Sequence, residues 1–147
     1  MLSEVEFLVE GQQLSKLHDK ILAEVSREYG LNKTELLILM FLSDNPQKDT
    51  AKEIVECRML TKSCVSKSID SLVRQGYLTT REDEEDRRIL HLFVQKSAER
   101  AVEAGKAARA DMSRCINQGI SDEEREVFLE IWNKMMRNIR EALNAES

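Results

Sequence analysis

The stretch TAKEIVECRMLTKSCVSKSIDSLVRQGY, residues 50–77, decides how this chain is read. Thr50 is followed three residues later by Glu53. That is a capping box, in which the hydroxyl accepts the Glu53 amide and the carboxylate reaches back to the start of the helix. It predicts a short helix over 51–57 with Ile54 facing inward. Arg58-Met59-Leu60 links this helix to Thr61, a further N-cap. A second helix then runs to about Gln75, with Val65, Ile69, Leu72 and Val73 on its apolar face. The opposite face shows Lys62, Ser63, Ser66, Lys67 and Asp70, and Gly76 ends the helix.

Toward the C-terminus the character changes. Residues 77–80 (YLTT) and 89–94 (ILHLFV) are β-prone, and the charged run 81–88 (REDEEDRR) lies between them. This predicts one hairpin with a long polar tip. Short helix, link, second helix and hairpin, in that order, make a winged helix-turn-helix. A helix of this kind fits the major groove of double-stranded DNA and offers side chains to base edges. The helix before it braces it across the backbone, and cations on a wing suit a narrow minor groove.

The flanks are helical. Leu14, Leu17, Ile21, Val25 and Tyr29 recur at steps of three and four within 3–29, and Gly30 stops that helix. Asn32 with Glu35 forms a capping box for a helix over 33–43, apolar almost all round and therefore buried centrally. The stretch 44–47 (DNPQ) stops it and holds the chain's single proline. From Lys96 an alanine-rich helix runs to Asn117, and Gly119 breaks it. Ser121 with Glu124 caps the last helix, which carries Phe128, Ile131, Trp132, Met135, Ile139 and Leu143 as a wide apolar stripe. The fold class is therefore mainly α with a small β-hairpin wing. Its regions are an N-terminal helix (1–30), a winged helix-turn-helix (31–96) and C-terminal helices (97–147), the outer two forming a dimerisation arm.

Composition agrees. Five glycines and one proline in 147 residues argue against a turn-rich β-sandwich or barrel. With 41% hydrophobic residues the chain has the material for a core. The net charge of −5 would argue against nucleic acid. Its distribution argues the other way. Residues 58–81 hold five bases against one acid, a local +4 that leaves −9 on the remainder. The acidic remainder limits non-specific attraction to phosphate.

Several classes are set aside. Cys57, Cys64 and Cys115 are scattered, and His18 and His91 are the only histidines, so the spacing of a zinc site or a disulfide framework is missing. No glycine-rich phosphate loop or nucleophile elbow is present, so neither an enzyme nor a bound cofactor is expected. The longest apolar run, 36–42, has seven residues against the ~20 of a membrane span. The N-terminal sequence lacks a secretory pattern, so a soluble, cytoplasmic protein is expected.

The run Ser63-Cys-Val-Ser-Lys-Ser-Ile-Asp-Ser-Leu72, then Gln75-Gly76-Tyr77-Leu78, then Asp86-Arg87-Arg88 and the Gly-Ile-Ser-Asp-Glu-Glu opening of the last helix together resemble the MarR family of transcriptional regulators. The resemblance implies a homodimer whose first and last helices interlock and whose two lobes straddle a pseudo-palindromic operator. The recognition helices would sit ~34 Å apart, one DNA turn. It implies repression relieved by a small-molecule effector that changes the lobe spacing. By position it assigns Thr50, Lys62, Ser63, Ser66, Lys67, Arg87 and Arg88 to DNA, with Asp86 holding Arg88 in the wing. Two features depart from the family pattern. The second wing strand ends in Leu92-Phe-Val-Gln-Lys-Ser97 rather than Leu-Thr with a nearby glycine. The wing turn is about one residue shorter, and five acids, 82–86, occupy it.

Other readings of single residues stand beside these. His18, beside the first apolar stripe, is expected to be a core or interface histidine, with an effector-binding role as the alternative. Cys57 and Cys115 are expected to be small buried hydrophobes. Cys64 on the recognition helix, with Cys57 seven residues earlier, is the basis of a redox-sensing alternative. The acidic wing tip is the basis of another, a winged-helix protein-interaction module without DNA binding.

Overall fold

The computed structural model describes residues 4–58 and 60–145. Six helices and one hairpin follow one another: α1 Glu4–Glu28, α2 Lys33–Asp44, α3 Ala51–Arg58, α4 Lys62–Arg74, β1 Leu78–Glu82, β2 Leu90–Val94, α5 Glu99–Ile116 and α6 Asp122–Ala145. A short 3-10 turn, Lys96–Ala98, leads into α5. The chain divides into two compact units, Met1–Met112 and Ser113–Ser147.

In the first unit α2 is the hub. Leu36, Ile38, Leu39 and Met40 are essentially sealed from solvent, and Leu22, Ile54, Val65, Leu72 and Leu78 join the same cluster. Each such side chain contributes about 1.5–3 kcal/mol by leaving water. The caps read from the sequence are in place. Asn32 Oδ1 accepts the Glu35 amide at 2.9 Å, and Glu35 Oε2 accepts the Asn32 amide at 2.9 Å. Glu53 Oε2 accepts the Thr50 amide at 3.1 Å and the Thr50 hydroxyl at 2.9 Å. Thr61 Oγ1 accepts the Cys64 amide at 3.2 Å. At the far end of α4, Gly76 adopts φ 75°, a left-handed turn that costs glycine no Cβ clash. That turn lets the Tyr77 amide reach the Leu72 carbonyl and redirects the chain into β1.

The hairpin is antiparallel, with Leu78 opposite Val94 and Glu82 opposite Leu90. Arg81 and Glu82 belong to β1, so the wing tip is 83–89, shorter than the charged run suggests. Leu78 and Leu92 point into the core. A bridge between Thr50 and His91, with the Leu92 amide donating to the Asp49 carbonyl at 2.8 Å, fastens β2 to the loop before α3. Asp44 at the end of α2 takes both Lys106 (2.9 Å) and Arg109 (2.8 Å) of α5.

Three expectations are corrected. Val73 is exposed, because eight residues past Val65 it has turned about 80° from the centre of the buried face. Ser68 is buried on the other flank of that face instead. Among the described residues of α1, Leu22 and Ser26 are buried, and Leu14 and Leu17 of the stripe are exposed in this single chain. Cys57 and Cys115 are exposed rather than buried, since each sits on the solvent side of its helix.

In the second unit the Ser121–Glu124 box caps α6, with the Ser121 amide donating to Glu124 Oε2 at 2.8 Å and the Glu124 amide to Ser121 Oγ at 3.2 Å. Phe128 and Trp132 stack with ring centroids 6.1 Å apart. No α6 side chain is buried in the single chain; Phe128, Ile131, Met135, Ile139 and Leu143 are 38–66% exposed. Among the described residues no helix is long and apolar enough to cross a membrane.

Candidate nucleic-acid interface

Helix α4 is amphipathic across its width. Val65, Ser68, Ile69 and Leu72 anchor one side, so Lys62, Ser63, Ser66, Lys67 and Asp70 are driven to the other and are exposed. Neither Lys62 nor Lys67 is ion-paired among the described residues, so both ammonium groups are available to an anion. Between α3, α4 and the wing runs a groove of about 740 Å³. Thr50, Lys52, Lys62, Ser66 and Arg88 border it, Leu90 and Leu92 line its floor, and Glu56 and Asp70 add two carboxylates.

The structure places the expected site residues as follows. Lys62, Ser66, Thr50 and Arg88 meet at that groove. Ser63 and Lys67 share the exposed face of α4, and Arg87 is exposed on the wing tip. Thr50 is half-buried, and its hydroxyl is already committed to Glu53. Asp86 grips Arg88 twice, Oδ1 to Nε at 3.0 Å and Oδ2 to Nη2 at 3.0 Å, and Oδ1 also accepts the Arg88 amide at 3.1 Å. The guanidinium holds the Asp86 carboxyl below its ordinary range, and Asp86 in turn raises Arg88. Arg81 lays its guanidinium over the Phe93 ring, 5.4 Å from the centroid. Arg58, counted among the bases of this segment, turns inward over Phe41 at 5.3 Å and does not border the groove. His18 is half-buried, 3.9 Å from Asp19, whose carboxylate is bound more closely by Lys33 at 2.7 Å; it does not line the groove. Cys64 is half-buried, its Sγ 4.0 Å from the Thr34 hydroxyl, and Lys48 Nζ stands 3.7 Å from the exposed Cys57 thiol.

Sequence reasoning missed one constellation. His91 Nδ1 lies 2.7 Å from Asp49 Oδ1, and His91 Nε2 lies 3.0 Å from Asp83 Oδ2. Asp83 Oδ1 also accepts the amides of Glu85 and Asp86, both at 2.9 Å, which folds the wing tip. The His91 ring, followed by those two amides, lowers Asp83 to about 2. The Asp83 and Asp49 carboxylates raise His91 above its ordinary value. Asp49 and His91 are 42 residues apart, and no local pattern marks them as partners.

A helix presenting cations beside a hairpin that carries an anchored arginine defines a winged helix-turn-helix protein, here with long helices before and after it. The MarR family model matches residues 29–89, which hold α2, α3, α4 and most of the wing. Over that segment the chain is similar to the MarR family. It is 32% identical over 89 residues to the transcriptional regulator AdcR of Streptococcus pneumoniae serotype 2, a match covering 60% of this chain and 56% of that relative. The chain thus spans little more than half the length of the curated relative it matches. Among solved structures, a MarR protein from Peptoclostridium difficile superposes with a TM-score of 0.80 at 22% identity, covering 97% of this chain and 94% of that one. A MarR family transcriptional regulator from Listeria monocytogenes, complexed with 26mer DNA, superposes with a TM-score of 0.82 at 15% identity, covering 97% and 92%. At these identities the likeness is one of fold.

Proposed function

We propose that this chain is a sequence-specific DNA-binding transcriptional regulator, a repressor that acts in the cytoplasm as a homodimer on a pseudo-palindromic operator. The observation that carries the reading is the shared border of one groove by Lys62 and Ser66 of α4 and Arg88 of the wing. Helix side chains there face a major groove, and the wing arginines reach the adjacent minor groove. Lys67, Ser63, Thr50 and Arg87 complete the contact surface, and Asp86 sets the rotamer of Arg88. The Listeria relative in complex with 26mer DNA supports the same use of the fold.

Dimerisation is supported by the apolar side chains that α1 and α6 each leave exposed, Leu14 and Leu17 on one and Phe128 to Leu143 on the other. Contiguous apolar surface of this kind marks a protein interface. A small effector then acts by shifting the spacing of two recognition helices that must match one turn of DNA.

Selection of bound fragments from genomic DNA, followed by a gel shift across a salt series, tests the reading. A complex that weakens steeply with salt is expected. A second reading, a protein-interaction module, is favoured by the five acids of the wing, residues 82–86, which repel phosphate. It prevails if no fragment is retained at low salt. Light scattering that finds a stable monomer at micromolar concentration sinks the dimer.

A further inference from the structure

We propose that His91 is the positioning residue of the wing: held as an imidazolium between Asp49 and Asp83, it ties the wing tip to the helix-turn-helix and sets where Arg88 stands, and losing its proton releases the wing. The functional consequence rests on the DNA-binding reading above; the clamp itself does not.

The geometry admits one protonation state. Both ring nitrogens face carboxylate oxygens, at 2.7 and 3.0 Å. A neutral imidazole has one N–H, so its other nitrogen would present a lone pair to a carboxylate. Only the imidazolium donates to both. The two carboxylates belong to different parts of the fold. Asp49 is in the loop before α3, where its carbonyl also accepts the Leu92 amide. Asp83 starts the wing tip, and its other oxygen holds the amides of Glu85 and Asp86. Asp86 then fixes Arg88 through three bonds. A continuous chain of hydrogen bonds therefore runs from the helix-turn-helix, through His91, to the arginine that borders the groove.

The remaining charges around the ring are otherwise engaged. Arg81, opposite His91 in the hairpin, lies over Phe93. Glu53 of α3 is bound to Thr50, Asp44 of α2 is held by Lys106 and Arg109, and Lys48 is drawn toward Cys57. Asp83 and Asp49, in that order, raise His91 above 6.5, so the clamp is complete below that pH and is lost as pH rises through the raised value.

The test needs no ligand at first. NMR follows the His91 ring protons against pH, and hydrogen exchange follows the amides of Leu92, Glu85 and Asp86. Their protection factors are expected to fall, by about tenfold or more, in the step in which His91 titrates. Unchanged protection through that step overturns the proposal. The second arm measures anisotropy of a fluorescein-labelled duplex recovered in the genomic selection. Wild-type affinity is expected to fall about tenfold between about pH 6 and pH 8.5, and His91→Gln is expected to bind weakly at both. Asp83→Asn separates positioning from direct contact. Its amide oxygen can keep the turn while its NH₂ donates to a neutral His91, so the clamp survives deprotonation. The variant should bind at high pH within about threefold of its low-pH affinity. An Asp83→Asn variant that loses affinity with pH as wild type does shows His91 acting by its own charge on the phosphates, and overturns the proposal. If no duplex binds at any pH while the amide step persists, the DNA reading fails and the clamp stands.

Discussion

Replacing Lys62 and Lys67 together by alanine is the sharpest probe of the groove. Both lysines are exposed on the face of α4 opposite Val65 and Leu72. Neither packs into the core, so the helix and the dimer should be undisturbed; alanine is also the better helix former. In a homodimer the change removes four cations. Each phosphate neutralised by such a group contributes about 0.9 to the slope of log K against log salt. Four contacts therefore lower the slope by about 3.6, which corresponds to about a 150-fold smaller loss of affinity between about 50 and 200 mM salt. At about 0.1 M salt the affinity itself should drop by about three orders of magnitude. Fluorescence anisotropy on the selected duplex over a salt series reads both quantities, with light scattering as the control for assembly. A variant with unchanged slope and affinity would show that α4 does not meet the backbone, and would refute the assignment of this helix as the reading element. A drop in affinity with an unchanged slope would place the two lysines on base edges instead of phosphates.

Three further outcomes follow from the packing and the charges. Gly105 of α5 sits so close to α2 that a Cβ there would lie 2.6 Å from Met40 Sδ and 3.3 Å from Leu36 Cδ1, and Met40 is only 1% exposed. Overpacking of ~1–3 kcal/mol outweighs the ~1 kcal/mol that alanine gains in helix propensity, so Gly105→Ala should lower the melting temperature by about 3 °C in calorimetry; a rise would show that Met40 yields freely. Ile131→Glu puts a charge on the exposed apolar stripe of α6 and should shift light scattering toward monomer, while an unaltered dimer would move the interface elsewhere. Asp83 titrates near 2, so its contribution to wing order is intact above its ordinary value of 3.8 and is lost as pH falls through about 2. NMR should therefore see the Asp83 carboxyl carbon move in that acid step and remain still around pH 4, and its titration at the ordinary carboxylate pH would deny the Asp83–His91 contact.

Much of the architecture was written locally. Asn32–Glu35, Thr50–Glu53 and Ser121–Glu124 each close a cap within three residues, and each is formed. The 3.6-residue spacing of Val65, Ile69 and Leu72 placed the buried face of α4, and by elimination placed Lys62, Ser66 and Lys67 on the open one. These features depend on neighbours in sequence, so periodicity and capping chemistry are sufficient to find them. The cationic face, the hairpin and the order of elements were legible for the same reason.

What lay beyond the sequence depends on which surface each element meets. Periodicity defines a stripe but not its edge, so Val73 on the margin of α4 faces solvent while Ser68 is covered. Composition counted Arg58 with the groove, yet the position of Phe41 on α2 draws it inward. Leu14 and Leu17 follow the apolar pattern of α1, but among its described residues the core covers that helix only toward its C-terminal end, at Leu22, Val25 and Ser26. The joining of Asp49, Asp83 and His91 was out of reach for the same physical reason. A hydrogen bond is satisfied by whatever group the fold brings within 3 Å, and the chain brings together residues 42 positions apart only once β2 has docked beside the loop before α3.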